Sequence, residues 1–318
     1  FFKNLGLHKP DISLEVGSGN HGQQTGKIMI KFEKQLLKEK PDLVIVVGDV
    51  NSTLACSIAS VKLEILVAHV ESGLRSFDRT MPEEINRIVT DAVSDILFTA
   101  SENDETNLLN EGISKNKIFF VGNVMIDSLH KIKNVADKSR ILKKLGIKEK
   151  NYVVLTIHRP SNVDDKEKLE NILNALEIIQ KDISIVFPVH PRTMKMIKKF
   201  RMLSFLKSFK NLIITEPLGY LDFARLMASS NLIMTDSGGI QEETTILNIP
   251  CLTLRESTER PITVSRGTNA IVGNSTKKIL LEVDKILDSN YRAKSNRTPK
   301  FWDGKASSRI AKVLLNFN

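Results

Sequence analysis

Chemically capable residues gather in a few short stretches of this 318-residue chain, each directly behind an apolar run. The first reads VGDVNST, from Val47 to Thr53. Gly48 lets the chain turn, Asp49 follows, and Asn51 or Ser52 is suited to cap a helix. Asp49 is read either as a brace for that turn or as a carboxylate aimed into a cleft. The second, HVESGLRSFDRTMPEEINR, carries His69, Glu71, Arg75, Asp78, Arg79, Glu83, Glu84 and Arg87. Glu71 leaves its strand just before Gly73. Pro82 and Glu83 suit the first turn of a helix, where the ring fits and a carboxylate is stabilised by free N–H groups. One such carboxylate is ordinary capping, but two flanking a loop with two arginines exceed what a surface needs.

Basic and glycine-rich stretches dominate the second half. TIHRPSNVD places His158 and Arg159 behind an apolar run, with Asn162 close by, and FPVHPR places His190 and Arg192 in the same way. A histidine satisfied by backbone is one reading of His158. A His–Arg pair presenting donors to a phosphate is the other. TDSGGIQEE joins a strand to a helix through Asp236, Ser237, Gly238 and Gly239, with Glu243 one turn in. Glycines there let backbone N–H groups approach an anion at a helix N-terminus, and Glu243 suits the hydroxyls of a ribose. A plain glycine-rich turn is the alternative. In LRESTERPITV, Arg260 either adds positive charge near the same phosphates or is neutralised by Glu259 beside it; both readings stand open.

The elements that must hold these residues alternate. Strands are expected at Ile12–Val16, Leu43–Val47, Leu66–Val70, Ile96–Thr99 and Ile118–Val121. A second set is expected at Tyr152–Ile157, Ile183–Val186, Leu212–Thr215, Leu232–Thr235, Cys251–Leu254 and Ala270–Val272. Most are continuous apolar runs, as in parallel strands covered on both faces. Helical patterns lie between them, including Gln24–Lys38, Glu84–Ala92, a long one at Val124–Leu145, Gly239–Leu247 and Lys305–Leu315. The fold class is therefore α/β with two open parallel sheets, in which ligands sit beyond the strands' C-terminal ends. The polar segment Leu142–Lys150 divides them: a front domain over residues 1–145, completed by a C-terminal helix in 296–318, and a rear domain over 150–290.

Composition excludes several classes. The net charge of +9 sits in lysine-rich helical runs without zinc-finger spacing or aromatic–basic interleaving, so a nucleic-acid partner is not expected. No apolar run reaches membrane-span length. Cys56 and Cys251, the two cysteines, lie far apart in apolar or small-residue surroundings and read as reduced core thiols of a cytoplasmic protein, with no metal site.

Taken together, GDVNST, HVESGLRS, MPEEINR, FTASE, VGNVMIDSL, IHRPSNVD, PVHPR, TDSGGIQEE and LRESTERP resemble the non-hydrolysing UDP-N-acetylglucosamine 2-epimerases, in that family's order, from about Leu43 to Arg266. The resemblance implies a glycosyltransferase-B-like fold, two Rossmann-like domains with parallel sheets facing a central cleft that holds UDP, and interconversion of UDP-N-acetylglucosamine and UDP-N-acetylmannosamine. It implies no nicotinamide, catalytic metal or other cofactor. By position, Asp49, Glu71 and Glu83 match the family's catalytic carboxylates and His158 its site histidine. Ser237, Gly238, Glu243 and Arg260 match its nucleotide-holding residues; Arg159 and Gly239 join them as UDP contacts. Arg75, Arg79, Asn162, His190 and Arg192 are candidates for sugar or second-site contacts. A homodimer and activation by a second UDP-sugar are further implications. Two departures stand out. Ser161 stands where the histidine motif usually carries Glu, which removes a charge beside the cleft. The chain also begins at Phe1, after the point where the family has a strand, an Arg-Pro-Glu loop and a helix; the expectation is that the natural protein has residues upstream.

The chemistry this implies is demanding, because C2 of the sugar is not acidic. One carboxylate would remove the C2 proton as UDP leaves C1, giving a 2-acetamidoglucal; an acid would then protonate the opposite face while UDP re-adds. His158, Arg260 and the N–H groups of Gly238 and Gly239 would steady the departing diphosphate. Three alternatives compete: an epimerase for a modified UDP-sugar such as a diacetamido uronate, a UDP-sugar-dependent glycosyltransferase, and an inactive sugar-nucleotide-binding paralogue.

Overall fold

A computed structural model describes residues 8–288 and 298–317. Its described residues fall into two α/β units, one of residues 8–127 with 300–317, the other of 128–288 with 298–299. In chain order the front unit holds α1 (His21–Glu39), β1 (Leu43–Val47), α2 (Asn51–Lys62), β2 (Leu66–Ser72), α3 (Pro82–Val93), β3 (Ile96–Thr99), α4 (Glu102–Asn110) and β4 (Ile118–Phe120). The chain passes to the rear unit within α5 (Val124–Ala136). There follow α6 (Ile141–Leu145), β5 (Tyr152–Thr156), α7 (Pro160–Val163), α8 (Lys166–Ile179), β6 (Ser184–Pro188), α9 (Pro191–Lys199), α10 (Leu203–Lys207) and β7 (Leu212–Thr215). The rear unit ends with α11 (Tyr220–Ala228), β8 (Leu232–Thr235), α12 (Gly238–Leu247), β9 (Cys251–Thr253), α13 (Pro261–Ser265), β10 (Asn269–Ile271) and α14 (Thr276–Leu287). A last helix, α15 (Ala306–Leu315), returns to the front unit.

Both sheets are parallel throughout. The front sheet runs β1-β2-β3-β4 and the rear sheet β10-β9-β8-β5-β6-β7. The continuous apolar runs have a direct cause in the rear sheet. Alternate residues of β5 serve opposite faces: Val153 and Leu155 pack with Leu169, Leu173 and Ile279, whereas Tyr152 and Val154 pack with Leu226 and Met227. Successive side chains of a strand point to opposite sides, so a sheet covered on both faces needs every residue apolar. In the front sheet Ala68, Val70, Ile96 and Phe98 pack against Ile310 of α15. Trp302, 1 % exposed, anchors that return by donating Nε1–H to the carbonyl of Ala100 at 2.9 Å. On β1, an edge strand of this sheet, Ile45 and Val47 are exposed.

Two expectations are corrected. Residues 12–16 form no strand: Glu15 and Gly17 have φ of 47° and 66°, a left-handed turn that ends extended pairing, and Ile12 is exposed. The helix expected over Val124–Leu145 is broken after Ala136. Ser139 donates to Asp222 and accepts the N–H of Ile141, restarting the chain as α6. Ile141 then packs with Tyr152 and Leu226, so residues 128–145, expected in the front domain, belong to the rear unit. The expected rear boundary at 290 and the start of the closing segment at 296 lie outside the described residues. Two short helices, α7 and α13, lie outside every helical pattern expected from the sequence, whereas α9 and α10 fall on a lysine-rich helical run over residues 195–210. Both cysteines are free, and burial pushes the Cys56 thiol to about 11 and the Cys251 thiol to about 12, which suits inert thiols.

Candidate active site

The front carboxylates are set by an irregularity in β2. Its pairing with β3 steps from Val70–Phe98 to Ser72–Thr99, so Glu71 is an extra residue with no partner opposite. Glu71 adopts φ +72°, which costs a non-glycine residue on the order of 1–2 kcal/mol. Bulges of this kind re-aim a side chain and recur beside active sites. Here the re-aimed carboxylate lies against Gly48, where a Cβ would sit 3.3 Å from Glu71 Oε2. Gly48 itself has φ +72° and donates its N–H to Val70 at 3.0 Å. The next residue, Asp49, directs its carboxylate to Arg87 of α3, with Nε at 3.0 Å.

Helix α3 completes the set in an unusual way. Its buried residues are Glu84, Asn86, Arg87, Thr90 and Asp91, all polar. Arg87 donates Nε to Asp49 at 3.0 Å and Nη1 to Glu84 at 2.5 Å. Asn86 donates to the carbonyl of Asp49 at 2.9 Å. Glu84 also accepts the N–H groups of Ser76 and Phe77 at 2.9 and 2.8 Å, which fixes the loop ahead of the helix. Glu83, half-buried in the first turn, lies beside it in the sequence on a different side of the helix. Arg75 is not positioned as a sugar contact. It is 2 % exposed and binds Asp91, Glu111 and the Leu74 carbonyl. Burial opposes its charge, but Glu111 and Asp91 outweigh that and hold it protonated. Arg79 is exposed in the loop after Phe77.

In the rear sheet the chemistry sits where strand order reverses. β5 has β6 on one side and β8 on the other, a topological switch point where open α/β sheets bind ligands. Asp236, fully buried at the end of β8, ties the two strand ends together. Its carboxylate accepts the N–H groups of His158 at 3.0 Å and Arg159 at 2.9 Å, the amide of Asn162 at 3.3 Å, and lies 3.1 Å from His158 Nδ1. Burial pushes its pKa up, but the hydrogen bond and charge of His158 and the two N–H groups outweigh this and leave it below the ordinary range. With Nδ1 so engaged, Nε2 of the part-exposed His158 is the edge left for a ligand. Asn162 is buried and donates to Leu254 at 2.7 Å, so it braces the site. Ser161 is exposed on α7.

His190 lies with its ring centroid 5.6 Å from that of His158. Its Nδ1 accepts the N–H of Arg192, capping α9. Burial, then the charges of His158 and Arg192, push its pKa below the usual histidine value, only partly offset by Asp236. Arg192 forms an exposed ion pair with Asp164. It lines a surface recess of about 550 Å³ with Lys195 and Lys199.

Helix α12 supplies the phosphate-type cradle. Ser237 precedes it in extended conformation, and Gly238 and Gly239 open it. A Cβ on Gly238 would lie 2.5 Å from Arg260 Nη1 and 2.9 Å from Glu259 Oε1, so glycine is what admits the guanidinium there. The neutralising pair with Glu259, one of the two readings of Arg260, is present. Arg260 lies against the helix start, and its charge is shared with Glu259 at 2.9 Å and Glu242 at 2.8 Å. Arg255 also pairs with Glu259 at 2.8 Å. Glu243 is 3 % exposed and accepts from Tyr220 at 2.6 Å; burial raises its pKa, and the tyrosine bond only partly offsets this.

From the sequence, Asp236, Glu84 and Arg87 stand in the chemically capable stretches without a role of their own, and Asp91 lies outside them; in the structure all four hold others in place. A charged residue behind a buried strand is a legible signal for Asp236. The Glu84–Arg87–Asp91 spacing puts three charges on one side of a helix, which ordinarily marks solvent.

Two parallel α/β units, one with carboxylates at strand ends and one with a glycine-opened helix at a switch point, define an enzyme of the glycosyltransferase-B-like class. The profile of the UDP-N-acetylglucosamine 2-epimerase family matches residues 1–315, and the chain belongs to that family. It is 48 % identical to the UDP-N-acetylglucosamine 2-epimerase of Methanocaldococcus jannaschii over 99 % of this chain and 86 % of that protein. It is 40 % identical to the UDP-2,3-diacetamido-2,3-dideoxy-D-glucuronate 2-epimerase of Pseudomonas aeruginosa, with coverage of 99 % and 86 %. The crystal structure of the M. jannaschii enzyme in complex with UDP-GlcNAc and UDP superposes with a TM-score of 0.91 at 47 % identity, covering 99 % of this chain and 87 % of that one.

Proposed function

We propose that this protein interconverts UDP-N-acetylglucosamine and UDP-N-acetylmannosamine. A carboxylate takes the C2 proton while the C1–O bond to UDP breaks, leaving a 2-acetamidoglucal and free UDP. A carboxylic acid then protonates the other face of C2 as a UDP oxygen re-forms the bond to C1. Asp49, Glu71 and Glu83 are the acid–base groups. His158, Arg159, Arg260, Ser237 and the N–H groups of Gly238 and Gly239 hold the diphosphate, and Glu243 the ribose. The observation that carries this reading is the bulge at Glu71, which spends backbone strain to set a carboxylate against Gly48, the residue before Asp49.

The acetamido-hexose reading is preferred over a diacetamido uronate on a specific ground. An added sugar carboxylate wants an available cation; of three candidates, Arg75 is enclosed by Asp91 and Glu111 and Arg192 is paired with Asp164, which leaves the exposed Arg79 alone. The relatives named for UDP-N-acetylglucosamine also include the one with higher identity. A cytoplasmic homodimer, activated by a second UDP-sugar through His190, Arg192 or Arg79, completes the proposal. Proton NMR of the protein with UDP-N-acetylglucosamine and no acceptor should show the anomeric signal of UDP-N-acetylmannosamine growing to a constant ratio. Conversion only of a diacetamido uronate substrate, or binding without conversion, would refute it.

A further inference from the structure

The strand that carries Glu71 also holds a fully buried histidine that the proposed chemistry does not use. His69 stands on β2, two residues before Glu71, and is 0 % exposed. Its Nε2 lies 2.9 Å from the carbonyl of Gly48, the peptide that leads into Asp49. Its Nδ1 lies 2.7 Å from Asp91 Oδ1. The carbonyl only accepts, so Nε2 carries hydrogen. Asp91, 1 % exposed, meanwhile accepts the N–H of Gly73 at 3.1 Å and Arg75 Nη1 at 2.7 Å, on the far side of the bulge. Three successive residues of β2 therefore grip Gly48: His69 holds its carbonyl, Val70 its N–H, and Glu71 packs against its Cα.

We infer that His69 is a positioning residue: by bonding the Gly48 carbonyl with Nε2 it fixes the spacing of the Asp49 and Glu71 carboxylates on which C2 proton transfer depends. This rests on the reading of those two residues as acid–base groups. His69 is fully buried and presents no surface to a ligand, so its loss should act on the chemical step and leave substrate binding nearly as it was. A misplacement of about 1 Å can cost about 100-fold in rate.

Two isosteres separate the ring's two bonds. His69→Asn places an amide nitrogen where Nδ1 was and keeps Asp91; His69→Gln places one where Nε2 was and keeps Gly48. Both leave a comparable polar group in the core, so a merely structural role would make them equally harmful. The Asn variant should lose about 10- to 100-fold in kcat with KM within about twofold, and the Gln variant no more than about threefold in kcat. Equal losses, or an unchanged kcat in the Asn variant, would overturn the inference. Should neither variant fold, the wild-type protein labelled with ¹⁵N-histidine decides. A slowly exchanging proton on Nε2 of a buried histidine supports the clamp, and a proton on Nδ1 alone overturns it. Wild-type protein that converts no UDP-N-acetylglucosamine would instead defeat the functional proposal. An active wild type with an indifferent Asn variant defeats only this inference.

Discussion

Glu71→Gln is expected to lower kcat by about 10²- to 10⁴-fold, the usual contribution of a positioned acid–base group. UDP affinity should stay within about tenfold, a difference of about 1.4 kcal/mol. The side chains are isosteric, so the bulge and its φ of +72° are retained and only the ability to exchange a proton is lost. Nothing in the rear unit's nucleotide set is altered by the change: Asp236 keeps His158 and Arg159, and Gly238 keeps Arg260 beside it. Steady-state kinetics and calorimetry with UDP read the two halves separately. Normal turnover in the Gln protein would remove Glu71 from the chemistry, and a collapse of UDP binding would show that it acts on the nucleotide.

Arg87→Ala should be among the most destabilising substitutions in the front unit. Its guanidinium is buried to 2 % between Asp49 and Glu84, and Glu84 is buried to 1 %. Removing the cation leaves a buried carboxylate whose remaining partners are the N–H groups of Ser76 and Phe77. Breaking a buried pair from one side costs about 3–5 kcal/mol, which for a unit of this size lowers the melting temperature on the order of 10 °C. Adding Glu84→Gln should recover part of the loss, since it removes the stranded charge and leaves an oxygen for the loop. Calorimetric melting of the single and double variants tests this. A melting point within about 2 °C of wild type for Arg87→Ala would mean that the cluster contributes little.

These two residues also mark how far the sequence could be read. The strand at Tyr152–Thr156 was legible because a sheet covered on both faces requires an unbroken apolar run, and the residues behind it are then pinned to the ligand-binding edge. Residues 12–16 alternate apolar with polar side chains as a strand does, but Glu15 and Gly17 take left-handed conformations beside a contact from Lys31 to the Leu14 carbonyl at 2.6 Å, which local sequence does not encode. Glu71 could be suspected from its neighbours, whereas the bulge that aims it arises from pairing with β3. On α3 amphipathicity is a poor guide: Ile85, Ile88 and Val89 are half-buried while polar residues are enclosed. A helix is read as amphipathic by assuming that polar means outside, and an active site's supporting shell breaks that assumption. Arg260 was ambiguous for a related reason, since whether a neighbouring carboxylate neutralises it depends on the turn between them.

The central claim is proton transfer at C2 by the front carboxylates during loss and return of UDP. The most direct measurement is epimerisation of UDP-N-acetylglucosamine in heavy water, followed by NMR at the C2 position. Deuterium should enter C2 of both sugar nucleotides as they equilibrate, and Glu71→Gln should suppress that entry together with turnover. Epimerised product that retains its original hydrogen at C2 would contradict the account.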